Sequence, residues 1–113
     1  QSVSAFSPIA NPTESDWGQK QFLAYLGEDK AIWNDYDPSI LIDKYGFHKP
    51  ILIDQGEKDS FLKLLMPSSL SNKFEHNKTL GQFRYHSGYD HSYFFVATFI
   101  KDHIEYHAKI LSN

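Results

Sequence analysis

The uninterrupted Ile-Leu-Ile of "PILIDQG" (50–56) constrains this chain more than any other stretch. A strand with one wet face alternates apolar and polar side chains, whereas a continuous apolar run is expected where helices cover both faces of a sheet. Two further short runs read as strands, "VSAFSPI" over 3–9 and "QFRYH" over 82–86. Between the runs the pattern is helical. "ESDWGQKQFLAYLGED" offers Ser15 as an N-cap, apolar positions at Phe22, Leu23, Tyr25 and Leu26, and Gly27 as a stop. "DKAIWNDY" and "PSILIDKYG" predict two short helices, the second opened by Pro38 and closed by Gly46. "SFLKLLM" and "SSLSNKFEHN" predict two more, split by Pro67. The last helix is predicted over 92–111, with an apolar stripe of Val96, Ile100, Ile104, Ala108 and Leu111. Thr98, Lys101, Glu105 and Lys109 form its opposite face, and the run Tyr93, Phe94, Phe95 is expected to pack it onto the sheet. Strands separated by helices make an α/β fold, with parallel strands joined by right-handed crossovers.

A chain of 113 residues holds one domain and not two. Three parallel strands leave both sheet edges unpaired, and the chain opens, "QSVSAFSPI", already inside a strand-like run. Both features lead us to expect the C-terminal portion of a single, longer domain. A net charge of −3 and a pI near 6.0 give no electrostatic reason for a nucleic acid or anionic membrane partner. No apolar run approaches the roughly 18 residues of a membrane span. With no cysteine, thiol nucleophiles, disulfides and thiolate metal sites are excluded, which fits an intracellular protein.

In open α/β sheets, ligands bind beyond the carboxyl ends of the strands. That rule selects two loops. In "DQGEKDSF" Gly56 is followed three residues later by Asp59, and in "SGYDHSY" Gly88 is followed three residues later by His91. If their strands are neighbours, a carboxylate meets an imidazole at one rim, as nucleophilic acyl transfer requires: the histidine moves the proton and the carboxylate fixes its tautomer. Each residue has a plainer reading. Asp59 can serve simply as a helix N-cap, and His91 as a residue at a helix start. Asp54 is an alternative acid, although a carboxylate inside the ladder needs partners of its own. Asp90 ranks last, because side chains adjacent in sequence point apart. No serine lies in a G-x-S-x-G elbow, so the pair is a relay without its nucleophile or its oxyanion hole. The rival from another class is a non-catalytic α/β module that binds a small ligand.

Three stretches resemble the S-formylglutathione hydrolases, also called esterase D, members of the α/β-hydrolase superfamily. "SVSAFSPIANP" with "WGQKQFLAYLG" resembles the segment after the family's sixth strand, "ILIDQGEKDSFL" its acid loop, and "GYDHSYFFVATFIKDHIEYHAKIL" its closing loop and helix. The resemblance spans nearly the whole chain and is loosest over 66–79. It implies the C-terminal part of an α/β-hydrolase fold, with Asp59 and His91 as relay acid and base. The nucleophilic serine is then supplied by an N-terminal portion. It further implies hydrolysis of the thioester S-formylglutathione and of simple esters, no metal or organic cofactor, a cytoplasmic location and homodimers.

Trp17, at the start of the first helix, resembles an aromatic position near the family's active-site mouth, against a plain packing role. His103 and His107 stand one turn apart on the last helix, a spacing that can bind zinc, but no third ligand has a defined place. They read as boundary residues of an amphipathic helix, and His48, His76 and His86 as surface or strand-end residues.

Overall fold

The computed structural model describes residues 1–46, 48–76 and 81–112. Three strands, β1 (Val3–Phe6), β2 (Ile51–Gly56) and β3 (Gly81–His86), form one parallel sheet in the order β1-β2-β3. Val3 lies opposite Ile51 on one side of β2, and Gly81 opposite Ile51 on the other. Every residue of β2 is buried, as its unbroken apolar run predicts. β1 is shorter than the expected 3–9, because Ser7 turns to φ 48° and Pro8 has no N–H to donate to a ladder.

Helix α1 (Asp16–Leu26) follows β1. Ser15 stands at its N-cap as predicted, but its hydroxyl bonds the carbonyl of Leu64 and not its own first turn. α2 (Lys30–Trp33) starts at Asp29, whose carboxylate accepts from Ala31 N–H, and runs into a 3₁₀ turn, Asn34–Tyr36. α3 (Pro38–Tyr45) is capped by buried Asp37, which accepts from Ser39 and Ile40 N–H and also ties down Thr13 N–H. After β2 come α4 (Leu62–Leu65) and α5 (Ser68–His76), parted by Pro67. The predicted continuation of α5 at Asn77, and residues 77–79 of the loosest stretch of resemblance, lie outside the described residues. α6 (Tyr93–Leu111) closes the chain.

One face of the sheet carries the apolar core of Ala10, Ile51, Ile53, Leu70 and Phe74, with Ala5, Ile42 and Phe83 packed against it. The other face lies under α6, which does not turn the predicted stripe toward the sheet. The buried residues of α6 are Phe95 and His103, joined by half-buried Phe99 in the same i, i+4, i+8 row. Ile100, Ile104 and Leu111 are 42%, 62% and 74% exposed, and Tyr93 and Phe94 are also outside. The reason is what lies beneath. β2 and β3 present Asp54 and Arg84 there, so the helix turns an aromatic and histidine face inward. Hydrophobic period reports a preference for burial in general, not the chemistry of the surface a helix meets.

Candidate active site

The loops after β2 and β3 are laid backbone against backbone. Glu57 N–H donates to His86 C=O (3.0 Å) and Lys58 N–H to Tyr89 C=O (2.9 Å). Gly56 permits this approach, since a Cβ there would stand 2.3 Å from the Tyr89 carbonyl oxygen. Gly88, at φ 84°, reverses the second loop at a backbone angle that side chains resist. Ser92 then caps α6 by accepting from Phe95 N–H, which leaves His91 just outside the helix.

The two loops bring Asp59 and His91 together. Asp59 is 4% exposed, and its Oδ2 accepts from His91 Nδ1 at 2.8 Å and from Gln55 Nε2 at 3.0 Å. Its Oδ1 accepts from Phe61 N–H at 2.8 Å. Asp59 is not the helix N-cap that the plainer reading expected, since Phe61 holds that position before α4, but its Oδ1 ties down the Phe61 N–H. An ionised carboxylate only accepts, so the bonded His91 Nδ1 carries the proton and the lone pair of the neutral ring lies on Nε2. The ring is 40% exposed while the carboxylate is fully covered, so the imidazole is open to solvent and its partner is not. Asp90 is exposed, and it makes no part of the pair.

Phe61 meets the His91 ring edge-on at 5.3 Å between centroids, and Trp17 packs on Phe61 at 4.8 Å. Trp17, 37% exposed, therefore reaches the pair through one intervening ring. A cavity of about 330 Å³ borders His91 and is lined by Phe6, Ser7, Ser92, Tyr93, Phe95 and Val96. A larger hollow of about 640 Å³, beside Glu57, Lys63 and Tyr85, contains neither Asp59 nor His91.

Asp54 is not the partner of His91. It is fully buried and accepts from Arg84 Nε (2.6 Å) and Nη2 (2.7 Å), His86 Nε2 (2.9 Å) and His103 Nε2 (2.8 Å). Burial pushes its carboxyl up, but the hydrogen bonds from Arg84, His86 and His103, with the charge of Arg84, outweigh this and hold it below the usual carboxylate range. Arg84 also reaches Asp102 on α6 at 3.1 Å. His86 does end its strand, but its ring is stacked on Phe99 at 3.8 Å and not at the surface. His103 is not a boundary residue either: it is 3% exposed and stacked on Phe6 at 3.9 Å. His107 lies between the hydroxyls of Ser2 (2.6 Å) and Ser4 (2.8 Å). The two helix histidines thus serve different partners, and among the described residues no three His, Asp or Glu side chains are grouped to hold a metal ion. His48 and His76 are exposed, as expected.

Sequence reasoning missed Gln55 and the set around Asp54. The available signal was the pair of polar residues, Asp54 and then Gln55, that follows the continuously apolar run of a strand buried on both faces.

Residues 1–106 match the profile of the family described as "Esterase: Putative esterase". The chain belongs to this esterase family. It is 54% identical over 110 residues to the S-formylglutathione hydrolase of Paracoccus denitrificans (strain Pd 1222), covering 97% of this chain and 39% of that protein. It is 51% identical over 112 residues to the S-formylglutathione hydrolase of Arabidopsis thaliana, again covering 97% and 39%. The solved structure of an S-formylglutathione hydrolase from Agrobacterium tumefaciens superposes with a TM-score of 0.86 at 41% identity, covering 96% of this chain and 39% of that one. The chain therefore spans about two-fifths of the length of the relatives it matches, and its three parallel strands and flanking helices are part of an α/β-hydrolase fold. Among the described residues, no helix is long and apolar enough to cross a membrane.

Proposed function

We propose that this chain is the C-terminal portion of a serine thioesterase domain and supplies the acid and base of its Ser-Asp-His relay. The substrate is S-formylglutathione, hydrolysed to glutathione and formate, with simple esters as further substrates. The 2.8 Å contact between Asp59 Oδ2 and His91 Nδ1 carries this reading, because it joins two loops from separate strands in the geometry a relay needs. The high identity to proteins named for that activity supports the choice of substrate.

The chemistry follows from the ring's two nitrogens. A serine hydroxyl from the part of the relatives not aligned with this chain attacks the thioester carbonyl, and His91 Nε2 takes its proton. Asp59 steadies the resulting imidazolium without itself being protonated. The tetrahedral intermediate then expels the glutathione sulfur, which receives the proton from Nε2. Water, deprotonated by the same nitrogen, attacks the formyl-serine ester, and the proton returns to serine oxygen as formate leaves. No metal or organic cofactor takes part. Trp17 and Phe61 shield the pair from one side, and Trp17 forms part of the substrate mouth. A cytoplasmic location and pairing as homodimers belong to the same reading.

A non-catalytic ligand-binding module is the alternative, but binding alone gives no reason for a buried carboxylate to hold the inner nitrogen of an exposed imidazole. Steady-state hydrolysis of S-formylglutathione by the whole enzyme tests the proposal. His91→Ala should abolish turnover, and the 113-residue chain alone, with no elbow serine, should leave an activated ester intact. Normal turnover by the variant, or esterase rates from the chain alone, would refute the assignment.

A further inference from the structure

We propose that Gln55 is a positioning residue of the relay, fixing the Asp59 carboxylate so that Oδ2 stays on His91; this rests on the thioesterase reading above. Gln55 is fully buried on β2, two residues beyond Ile53, which belongs to the apolar core. Strand alternation puts Ile51, Ile53 and Gln55 on one face, where an apolar side chain would be the expected occupant. Its amide nitrogen donates to Asp59 Oδ2 (3.0 Å) and to Gly56 C=O (3.1 Å). Carboxylate and carbonyl oxygens only accept, so the orientation of this amide is set by its neighbours. The cost sits at the other end: Gln55 Oε1 is buried without a hydrogen-bond partner among the described residues. A buried carbonyl left unpaired is unfavourable, and an aliphatic residue of similar length would avoid it. What Gln55 adds is a second donor on the oxygen that faces His91.

The mechanical consequence is specific. Phe61 N–H holds Oδ1 from one side and Gln55 holds Oδ2 from another, so the carboxylate cannot rotate about Cβ–Cγ without losing a bond. Without Gln55, only the partly exposed imidazole fixes Oδ2. Gln55 touches no reacting atom and acts through Asp59.

The test is steady-state hydrolysis of S-formylglutathione near pH 7 by the whole enzyme carrying Gln55→Met or Gln55→Glu. Gln55→Met keeps the volume and removes the donor. It should lower kcat about 10-fold with KM nearly unchanged, the scale of one hydrogen bond to a charged group. Gln55→Glu puts a buried carboxyl in contact with Asp59, and two such groups hold one proton between them, so the new acid donates to Oδ2 in place of the amide and kcat near pH 7 should stay within about threefold of the wild type. A purely structural role would lower the melting temperature of both variants and leave kcat and KM of the folded enzyme where they are. Wild-type kcat in Gln55→Met overturns the proposal. Should Gln55→Met not fold, a loss of about 10-fold in kcat of folded Gln55→Glu, which keeps a donor to Oδ2, overturns it. If instead the wild type fails to turn over, or His91→Ala retains activity, the relay reading itself has fallen.

Discussion

Asp54→Asn keeps the shape of a fully buried side chain and removes its charge, at a point where three elements meet. In the native protein four donors converge on the carboxylate: two from Arg84, one from His86 and one from His103, at 2.6–2.9 Å. An amide offers one accepting oxygen. With that oxygen toward Arg84 Nε and His86, its NH₂ faces Arg84 Nη2 and His103 Nε2, donor against donor. Breaking a buried ion pair from one side costs about 3–5 kcal/mol. The Arg84 side chain is 31% exposed, so water recovers part of its loss, whereas His103 at 3% has no such recourse. The expected destabilisation is therefore about 2–3 kcal/mol, a large share of the roughly 5–15 kcal/mol of a typical domain. Urea unfolding followed by circular dichroism should show the midpoint falling by about 1 M or more at unchanged slope, given slopes of about 1–3 kcal/mol per molar. The pH dependence supplies an independent check. The folded-state pKa of Asp54 is depressed, so its contribution is present above the unfolded value near 4 and is lost as pH falls through the folded one. The gap between wild type and Asp54→Asn should accordingly be full at pH 7 and close below about pH 4. An unchanged midpoint at pH 7, or a gap that persists undiminished at pH 3, would refute the reasoning.

Two other substitutions probe the site. Asp59→Asn should cut thioester hydrolysis by the whole enzyme on the order of 10⁴-fold through the wrong imidazole tautomer, by analogy with serine proteases; undiminished kcat would remove Asp59 from the relay. Gly56→Ala drives a methyl to 2.3 Å from the Tyr89 carbonyl and must part the two loops. It should cost about 1–3 kcal/mol of stability together with activity, and a variant that melts and turns over like the wild type would show that the loops do not need this approach.

The sequence by itself determined the α/β class, the three strands and their helical connections, and the rim where Asp59 and His91 meet. These follow from local signals. A doubly buried strand reads as unbroken apolar, glycines mark the turns beyond the strand ends, and the parallel crossovers place those turns on one side. The whole-chain likeness to S-formylglutathione hydrolases was legible for the same reason, because the matching stretches are these loops and the last helix.

Only the tertiary structure decided the rest. The face α6 turns inward depends on Asp54 and Arg84 beneath it, so Phe95, Phe99 and His103 are chosen over the more regular stripe through Ile100 and Ile104. His103 and His107, a turn apart and readable as metal ligands, are divided between Asp54 and a pair of serines at the other end of the chain. Gln55 meets Asp59 only because β2 runs straight into a turn that folds back over it. Hydrophobic period and motif spacing describe one segment at a time. Which donor finds which buried acceptor is settled between segments, where a charge removed from water must be matched by whatever side chains the packing brings to it.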